Sequence, residues 1–218
     1  MKFTKSWAVA ATVFALAGSA QAALIDRGGG MIYDTTRNLT WLANMNTNGL
    51  MTWAAATTWA NNLVHGGFDD WRLPTLNPAD TTCSLILTPP GFPTQYNGTG
   101  CTGGELSGLL VTDLGNKAYE SVLNQVGDTA EQIANLALFS NVQSFDYWSG
   151  TDYAPYPDFA WYFLTDEGNQ FFFPKIFAKY AVAVRLGDVA ASVPEPQTLA
   201  LVLLALGATV GARRRRPV

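Results

Sequence analysis

The apolar positions of the chain fall into two uninterrupted stretches near its ends and a central region of mixed pattern. The first stretch covers residues 7–17, follows two lysines, and gives way to the small residues of Ala20-Gln21-Ala22. A basic start, a short apolar run and a small-x-small ending are typical of a secretory signal peptide. A buried first helix would be expected to show a polar face, which this run lacks. The pattern predicts an export signal over residues 1–22.

The second apolar stretch, residues 198–212, contains no charge and is followed by four arginines. At about 1.5 Å per residue it is roughly 22 Å long as a helix, which is shorter than the ~30 Å hydrocarbon core of a bilayer. It can form a transmembrane helix only if the arginines reach towards the headgroups. Because basic clusters stay cytoplasmic, the rest of the chain is predicted to lie outside. A permanent tail anchor is the alternative to a temporary one.

A Pro-Glu-Pro motif lies just before this stretch. The order of motif, apolar segment and basic cluster resembles the PEP-CTERM sorting signal of Gram-negative bacteria. The resemblance implies that residues 191–218 are a sorting signal and that an exosortase, a membrane protease-transpeptidase, removes the tail. The protein would then be held only transiently at the inner membrane before it reaches the cell surface or extracellular matrix. The residues that carry the resemblance are Pro194, Glu195, Pro196, Arg213, Arg214, Arg215 and Arg216.

Residues 23–190 lie between these ends and have the length of one domain. Two short runs, Met31–Asp34 and Leu39–Leu42, flank four turn residues and predict a hairpin. A helix is predicted from a Thr52 cap to Val64, because apolar residues follow at steps of three and four before two glycines end it. Its apolar face consists of Trp53, Ala56, Trp59, Ala60 and Leu63.

The middle of this region is less regular. Residues 70–75 predict a short strand that ends at a proline, and residues 76–104 form a long stretch rich in Pro, Gly, Thr and Asn. A loop of that length within one domain is usually functional or cross-linked. A second helix is predicted over residues 105–114, with Leu106, Leu109 and Leu110 facing inward, and residues 118–137 favour helix ambiguously.

The last third is rich in β-branched and aromatic residues. It predicts strands that begin at Tyr147, cover 159–164 and 170–173 around a turn at 166–169, and end with 180–185. Helices early in the chain and antiparallel strands late in it predict an α+β fold.

The charge of the central region narrows the choice of partners. It contains seven basic and sixteen acidic residues, a net charge of −9. Nucleic acids and anionic lipids bind clustered Lys and Arg, so they are poor partners for such a body. Cations and neutral or basic surfaces are better ones.

Cys83 and Cys101 are the two cysteines of the chain. Export places them in an oxidising compartment, where we predict a disulfide that closes a loop of under 20 residues and contributes roughly 3 kcal/mol. Two free thiols are the simpler alternative. A redox or metal pair is less favoured because the Cys-x-x-Cys spacing is missing.

Catalytic motifs are not found in the sequence. It contains no His-Glu-x-x-His, Gly-x-Ser-x-Gly or Walker motif. The one histidine, His65, lies at the predicted end of the first helix, where free carbonyls and the negative helix end would hold it in a structural role. The central region contains sixteen acidic residues, so some pair of carboxylates is expected to lie close together in any fold. Such a pair is therefore weak evidence for a glycoside hydrolase. We predict a non-enzymatic protein without catalytic residues or a metal.

Aromatic residues suggest where a ligand would bind. Tyr153 and Tyr156 lie in the polar, proline-broken segment "TDYAPYPD", which predicts an exposed loop. Together with Asp152 and Asp158 they could form a sugar-stacking or calcium-assisted patch, and an ordinary loop is the alternative. Six tryptophans have aliphatic neighbours and are assigned to the core: Trp41, Trp53, Trp59, Trp71, Trp148 and Trp161.

Four short segments, "YDTTRNLTWL", "GGFDDWRLPT", "YWSGTDY" and "YAVAVRLGD", occur in this order along the chain. Together they resemble the Lcl C-terminal domain family, which is named for a collagen-like bacterial adhesin. The residues that carry the resemblance are Trp71, Arg72, Leu73, Pro74, Trp148 and Arg185.

The resemblance implies a C-type-lectin-like fold, in which the first and last strands pair, two helices flank a small sheet and a long loop region presents the binding surface. It also implies attachment to polysaccharide or matrix, since the adhesin binds sulfated polysaccharides. The Glu-Pro-Asn and Gln-Pro-Asp triplets of calcium-dependent lectins are missing here. The acidic body suits sulfated ligands only if Arg37, Arg72, Lys175 and Lys179 gather locally. An alternative on the same fold is a formylglycine-generating type of enzyme, which uses two reactive cysteines and copper.

Overall fold

Two antiparallel sheets and three short helices make up the part of the chain that the computed structural model describes, residues 24–189. The predicted α+β class is therefore confirmed. The helices are α1 (Trp53–Asn61), α2 (Glu105–Ser107) and α3 (Ala130–Leu136). The strands are β1 (Leu24–Gly28), β2 (Met31–Asp34), β3 (Leu39–Leu42), β4 (Leu85–Leu87), β5 (Gln95–Thr99), β6 (Asp146–Asp152), β7 (Phe159–Leu164), β8 (Asn169–Pro174) and β9 (Val184–Leu186).

The first sheet has the order β1-β2-β3-β9. The predicted hairpin is confirmed as β2 and β3, which pair from Met31 with Leu42 to Asp34 with Leu39. Asn38 provides the left-handed turn residue, with φ of 53°. Strand β9 pairs with β3 and not with the first strand, unlike the pairing that the family resemblance implies.

The second sheet has the order β4-β5-β8-β7-β6. Strand β7 begins and ends at the predicted residues, and β6 and β8 contain the predicted segments. The expected loop over residues 76–104 contains two strands, β4 and β5, which form a hairpin. The predicted disulfide between Cys83 and Cys101 is confirmed and encloses this hairpin.

Two predicted strands are largely absent. Residues 70–75 contribute a single bridge, in which Arg72 and Val184 exchange backbone hydrogen bonds of 2.9 and 2.8 Å. Pro74 cannot donate a backbone hydrogen bond, so the ladder does not continue. Residues 180–183 divide their hydrogen bonds between β6 and β3, because this segment passes from one sheet to the other. Only Val184–Leu186 remains as strand.

The predicted helices form, with different lengths. Thr52 caps α1 by accepting a hydrogen bond from the Ala55 amide, and α1 ends three residues before the predicted Val64. The second predicted helix begins as α2 and widens into a π-helical turn, Gly108–Asp113. Of residues 118–137, only the stretch Ala130–Leu136 is helical.

Four of the six tryptophans assigned to the core are fully buried, and two are partly buried. Trp41, Trp71, Trp148 and Trp161 are at most 2 % exposed, whereas the α1 residues Trp53 and Trp59 are partly buried at its edge.

The family signature residues connect distant segments of the domain. Arg72 donates from Nη1 and Nη2 to the two oxygens of the Glu105 carboxylate at 2.7 Å each, and Arg185 binds Asp70. Burial opposes the charge of Glu105, but hydrogen bonds from Arg72 and the Thr75 amide outweigh it and lower its pKa. The two arginines thus tie segment 70–75 to α2 and β9.

Arg37 lies in a buried ionic site beside the first hairpin. Its Nη1 is 2.7 Å from an oxygen of Asp34 and 2.5 Å from one of Asp113. The two carboxylates are 2 % and 9 % exposed. Gly108 leaves room for the guanidinium, because a Cβ at that position would lie 2.5 Å from Arg37 Nη2.

Within residues 24–189, none of the helices is long and apolar enough to cross a membrane. The predicted export signal, the Pro-Glu-Pro motif and the apolar segment 198–212 with its arginines lie outside the described residues.

Candidate functional site

A cavity of about 230 Å³ lies between the disulfide-linked loop and the end of strand β6. We call it the Trp161 cavity. Its walls are residues 77–79 and 93–95 on one side and Asp152, Ala154 and Trp161 on the other.

Two polar side chains fix the loop against the second sheet. Gln170 is fully buried, and its Nε2 donates hydrogen bonds to the carbonyls of Asn77 and Tyr96 at 3.2 and 3.0 Å. The Thr151 hydroxyl accepts from the Leu76 amide at 3.0 Å and donates to the Leu76 carbonyl at 3.1 Å. With the disulfide, these contacts hold both walls in place.

The Trp161 cavity is lined by two buried residues that each carry an unsatisfied polar atom. Trp161 is 0 % and Gln95 is 5 % exposed. Trp161 Nε1 and Gln95 Oε1 have no hydrogen-bond partner. A buried polar atom left in this state costs about 1–3 kcal/mol. One atom is a donor and the other an acceptor, and both are enclosed by protein, with less than 1 Å² of either exposed to solvent.

The mouth of the cavity carries an ion pair. The Lys175 ammonium binds the carboxylate of Asp152, whose side chain is 61 % exposed, and donates to the Pro157 carbonyl at 2.8 Å. The same ammonium lies 4.2 Å from the centre of the Trp53 ring, so three contacts fix its position.

Of the four residues predicted to bind, one lines the cavity, and the other three lie in the chain segment that follows it. The expectation that Tyr153 is exposed was wrong: it is 1 % exposed, stacks on Phe172 at 3.7 Å and meets the Trp161 ring edge-on at 5.7 Å. Tyr156 is 60 % exposed and stacks on Tyr153 at 6.0 Å. Asp158 is exposed, and its carbonyl accepts from the Lys175 amide. Asp152 is the member that lines the wall.

Sequence reasoning missed Trp161 and Gln95 as site residues. Trp161 was assigned to the core because of its aliphatic neighbours, and it is indeed fully buried. The available signal was the long cysteine-flanked stretch 76–104, whose polar residue Gln95 faces the interior at the start of β5.

The basic residues do not gather into one patch. Arg37, Arg72, Lys175 and Lys179 each bind a different set of carboxylates. In fact, all seven basic side chains within residues 24–189 are ion-paired. The pairs are Arg27 with Asp188, Arg37 with Asp34 and Asp113, Arg72 with Glu105, Lys117 with Asp128, Lys175 with Asp152, Lys179 with Asp146, and Arg185 with Asp70.

Potential metal-binding side chains come together at Asp80, Cys83 and Cys101, whose ligand atoms lie within 4.8 Å of one another. The two sulfurs are bonded to each other and are not thiolates. Asp80 accepts hydrogen bonds from the Thr82 and Gly103 amides at 3.0 and 2.6 Å. The group is therefore a structural junction in this state. A copper-dependent cysteine chemistry would need at least one of these sulfurs as a free thiol.

His65 makes a structural contact, but with a different partner from the predicted one. Its Nε2 lies 2.7 Å from the carbonyl oxygen of Gly29 in the β1–β2 turn, and its ring meets Trp71 edge-on at 5.8 Å. The histidine does not lie at the end of α1 as predicted, because that helix already ends at Asn61.

Comparison with known proteins gives two family matches. The model of the Lcl C-terminal domain matches residues 30–185, and that of the PEP-CTERM protein-sorting motif matches residues 192–216. No curated protein and no solved structure matches the chain significantly. The first match covers the second sheet, the first sheet apart from β1 and the last residue of β9, the disulfide and the Trp161 cavity. The chain therefore belongs to the Lcl C-terminal domain family and carries a PEP-CTERM sorting motif, which marks it as an exported protein of the exosortase-processed type.

Proposed function

We propose that the protein is a non-catalytic surface or matrix component that attaches to extracellular polysaccharide through the Trp161 cavity. The observation that carries the proposal is the cavity itself, whose wall combines apolar and aromatic residues with one carboxylate, that of Asp152. The C–H face of a pyranose unit can contact the apolar surface, and its hydroxyls can donate hydrogen bonds to the carboxylate. The exposed ring of Tyr156 is close enough to offer a stacking surface for a neighbouring unit, since it packs against the Tyr153–Trp161 cluster.

The fold is proposed to be a variant of the C-type-lectin-like arrangement. This assignment is supported by two antiparallel sheets, short flanking helices and a long loop region that bears the cavity. An experimental structure whose strand connections cannot be superposed on that arrangement would refute it.

The C-terminal segment is proposed to be a temporary tether at the inner membrane. An exosortase would remove it and leave the domain at the cell surface or in the matrix. Mass spectrometry of the protein recovered from cells should find a C-terminus close to the Pro-Glu-Pro motif. Recovery of the protein with all four terminal arginines would contradict the tether.

The cavity is tested by replacing Trp161 with phenylalanine, which removes the indole N–H and keeps an aromatic ring. The Trp161→Phe chain should bind an immobilised polysaccharide about fivefold more weakly, because the smaller ring removes part of the wall that contacts the ligand. Retention is measured by affinity electrophoresis over a panel of bacterial and plant polysaccharides, with the full-length chain in mild detergent.

Two further variants make this test specific. Gln95→Met changes the opposite wall of the cavity at nearly constant side-chain length and should weaken retention in the same way. Trp59→Phe changes a partly buried tryptophan of α1, away from the Trp161 cavity, and should leave retention unchanged. Equal retention by all three variants and the unmodified chain would contradict the proposal, as would no retention of any polysaccharide.

A further inference from the structure

We propose that the Trp161 cavity selects an uncharged sugar unit and rejects sulfated ones. This inference rests on the proposed function and names the ligand class for the same site. It departs from the expectation that the family resemblance raises, since the adhesin for which the family is named binds sulfated polysaccharides.

The first argument is the charged group in the cavity wall. Asp152, whose side chain is 61 % exposed, is the one carboxylate that lines the cavity. A sugar hydroxyl can donate a hydrogen bond to this carboxylate. A sulfate group carries acceptors alone and would place a second negative charge against it.

The second argument is electrostatic. A sulfate needs a cation that is not already neutralised, and each of the seven basic side chains in the described part of the chain is bound to a carboxylate. The nearest one, Lys175, is held by Asp152 at the mouth of the cavity. A sulfated unit would therefore have to displace Asp152 from Lys175 and remain beside the freed carboxylate, within a body of net charge −9.

The third argument is size and wall chemistry. The volume of about 230 Å³ is below the roughly 300 Å³ at which pockets for drug-sized ligands begin, so it suits a single sugar unit. Pro78, Ala79, Pro93 and Ala154 give apolar wall surface that can contact the C–H face of a pyranose. An apolar wall disfavours an anion, because a charge loses its hydration there.

Polymers that differ only in sulfation test the inference. Retention of the full-length chain is compared on dextran and dextran sulfate, and on a desulfated galactan and its native sulfated form. We expect retention by at least one neutral polymer, with little change between low and high salt, and weaker retention by its sulfated partner. Charge-driven binding to the sulfated polymer would instead fall steeply as salt rises.

A charge variant localises the selectivity. Asp152→Asn leaves the Lys175 ammonium without its carboxylate at the mouth, so retention by dextran sulfate should rise about threefold, as expected for one exposed charge contact. Asp188→Asn is the matched control, since it changes the net charge equally and frees Arg27 in another ion pair. It measures the effect of one freed cation away from the cavity, and Asp152→Asn should raise retention by more than this control does. Equal rises for the two variants would contradict the location of the selectivity at the cavity.

The outcomes separate the two proposals. Stronger retention by the sulfated polymers with unmodified protein would overturn the selectivity and leave polysaccharide attachment standing. Retention by a neutral polymer that Trp161→Phe and Gln95→Met do not weaken would overturn the assignment of the sugar to this cavity. Retention by none of the polymers, neutral or sulfated, would overturn both proposals.

Discussion

Replacing Arg37 with methionine should lower the free energy of unfolding by about 3–5 kcal/mol, the cost of removing one partner from a buried ion pair. The guanidinium lies between Asp34 and Asp113, which are 2 % and 9 % exposed, so both carboxylates would lose their cation inside the domain. The side chain also anchors the first hairpin to the π-helical turn, and methionine cannot replace those bonds. Urea denaturation at pH 7, followed by tryptophan fluorescence, measures the effect.

The stability that Arg37→Met loses should be smaller at acidic pH than at neutral pH. Burial already raises the pKa of Asp113 even though Arg37 opposes the rise. Without Arg37 that pKa rises further, so the folded state keeps the Asp113 proton to a higher pH than the unfolded state does. A group of this kind stabilises the fold below its unfolded pKa, and the stabilisation is lost as pH rises through the folded pKa. The deficit of Arg37→Met should therefore shrink between pH 7 and pH 4.

Arg27→Met is the matched control for this experiment. Arg27 pairs with Asp188, but the two side chains are 26 % and 27 % exposed. Solvent screens such a pair, so the variant should lose less than about 1 kcal/mol. Similar losses of stability for Arg27→Met and Arg37→Met would contradict the larger contribution that we assign to the buried ion pairs of Arg37.

Replacing both Cys83 and Cys101 with alanine should cost roughly 3 kcal/mol, because the bond that restricts an 18-residue separation in the unfolded chain is lost. We expect a second consequence at the Trp161 cavity. Residues 77–79 and 93–95 lie on either side of Cys83 and form one wall, so loosening the loop should also weaken polysaccharide retention.

Reduction provides an independent check on the same bond. The unmodified chain in dithiothreitol should approach the stability of the double variant, and dithiothreitol should not affect the variant itself. A double variant that loses less than about 1 kcal/mol and retains polysaccharide normally would contradict the role given to the disulfide.

Local patterns predicted the elements whose residues pair or cap with near neighbours. The hairpin of β2 and β3 followed from four turn residues between two apolar runs, and Thr52 was recognisable as a helix cap. The disulfide could be predicted because export and two cysteines leave few alternatives. These features depend on short sequence separations or on covalent chemistry.

Features that depend on distant partners were not predictable in the same way. Residues 70–75 look like a strand but form one bridge, since their partner is the segment that crosses between the sheets. Tyr153 lies in a polar, proline-broken segment, yet Phe172 of β8 and Trp161 of β7 bury it. The Trp161 cavity itself arises from the folding of the cysteine-linked loop onto β6 and β7, which no local pattern encodes.

The most direct test of the Trp161 cavity is the NMR signal of the Trp161 indole N–H in the full-length chain. The chain contains seven tryptophans, and Trp161→Phe identifies this signal by its disappearance. Titration with oligomers of a retained neutral polysaccharide should shift the Trp161 resonance, because a sugar unit in the cavity changes the surroundings of the ring that lines it. The Trp59 resonance should stay in place. A Trp161 resonance that does not move at saturating oligomer would contradict the account.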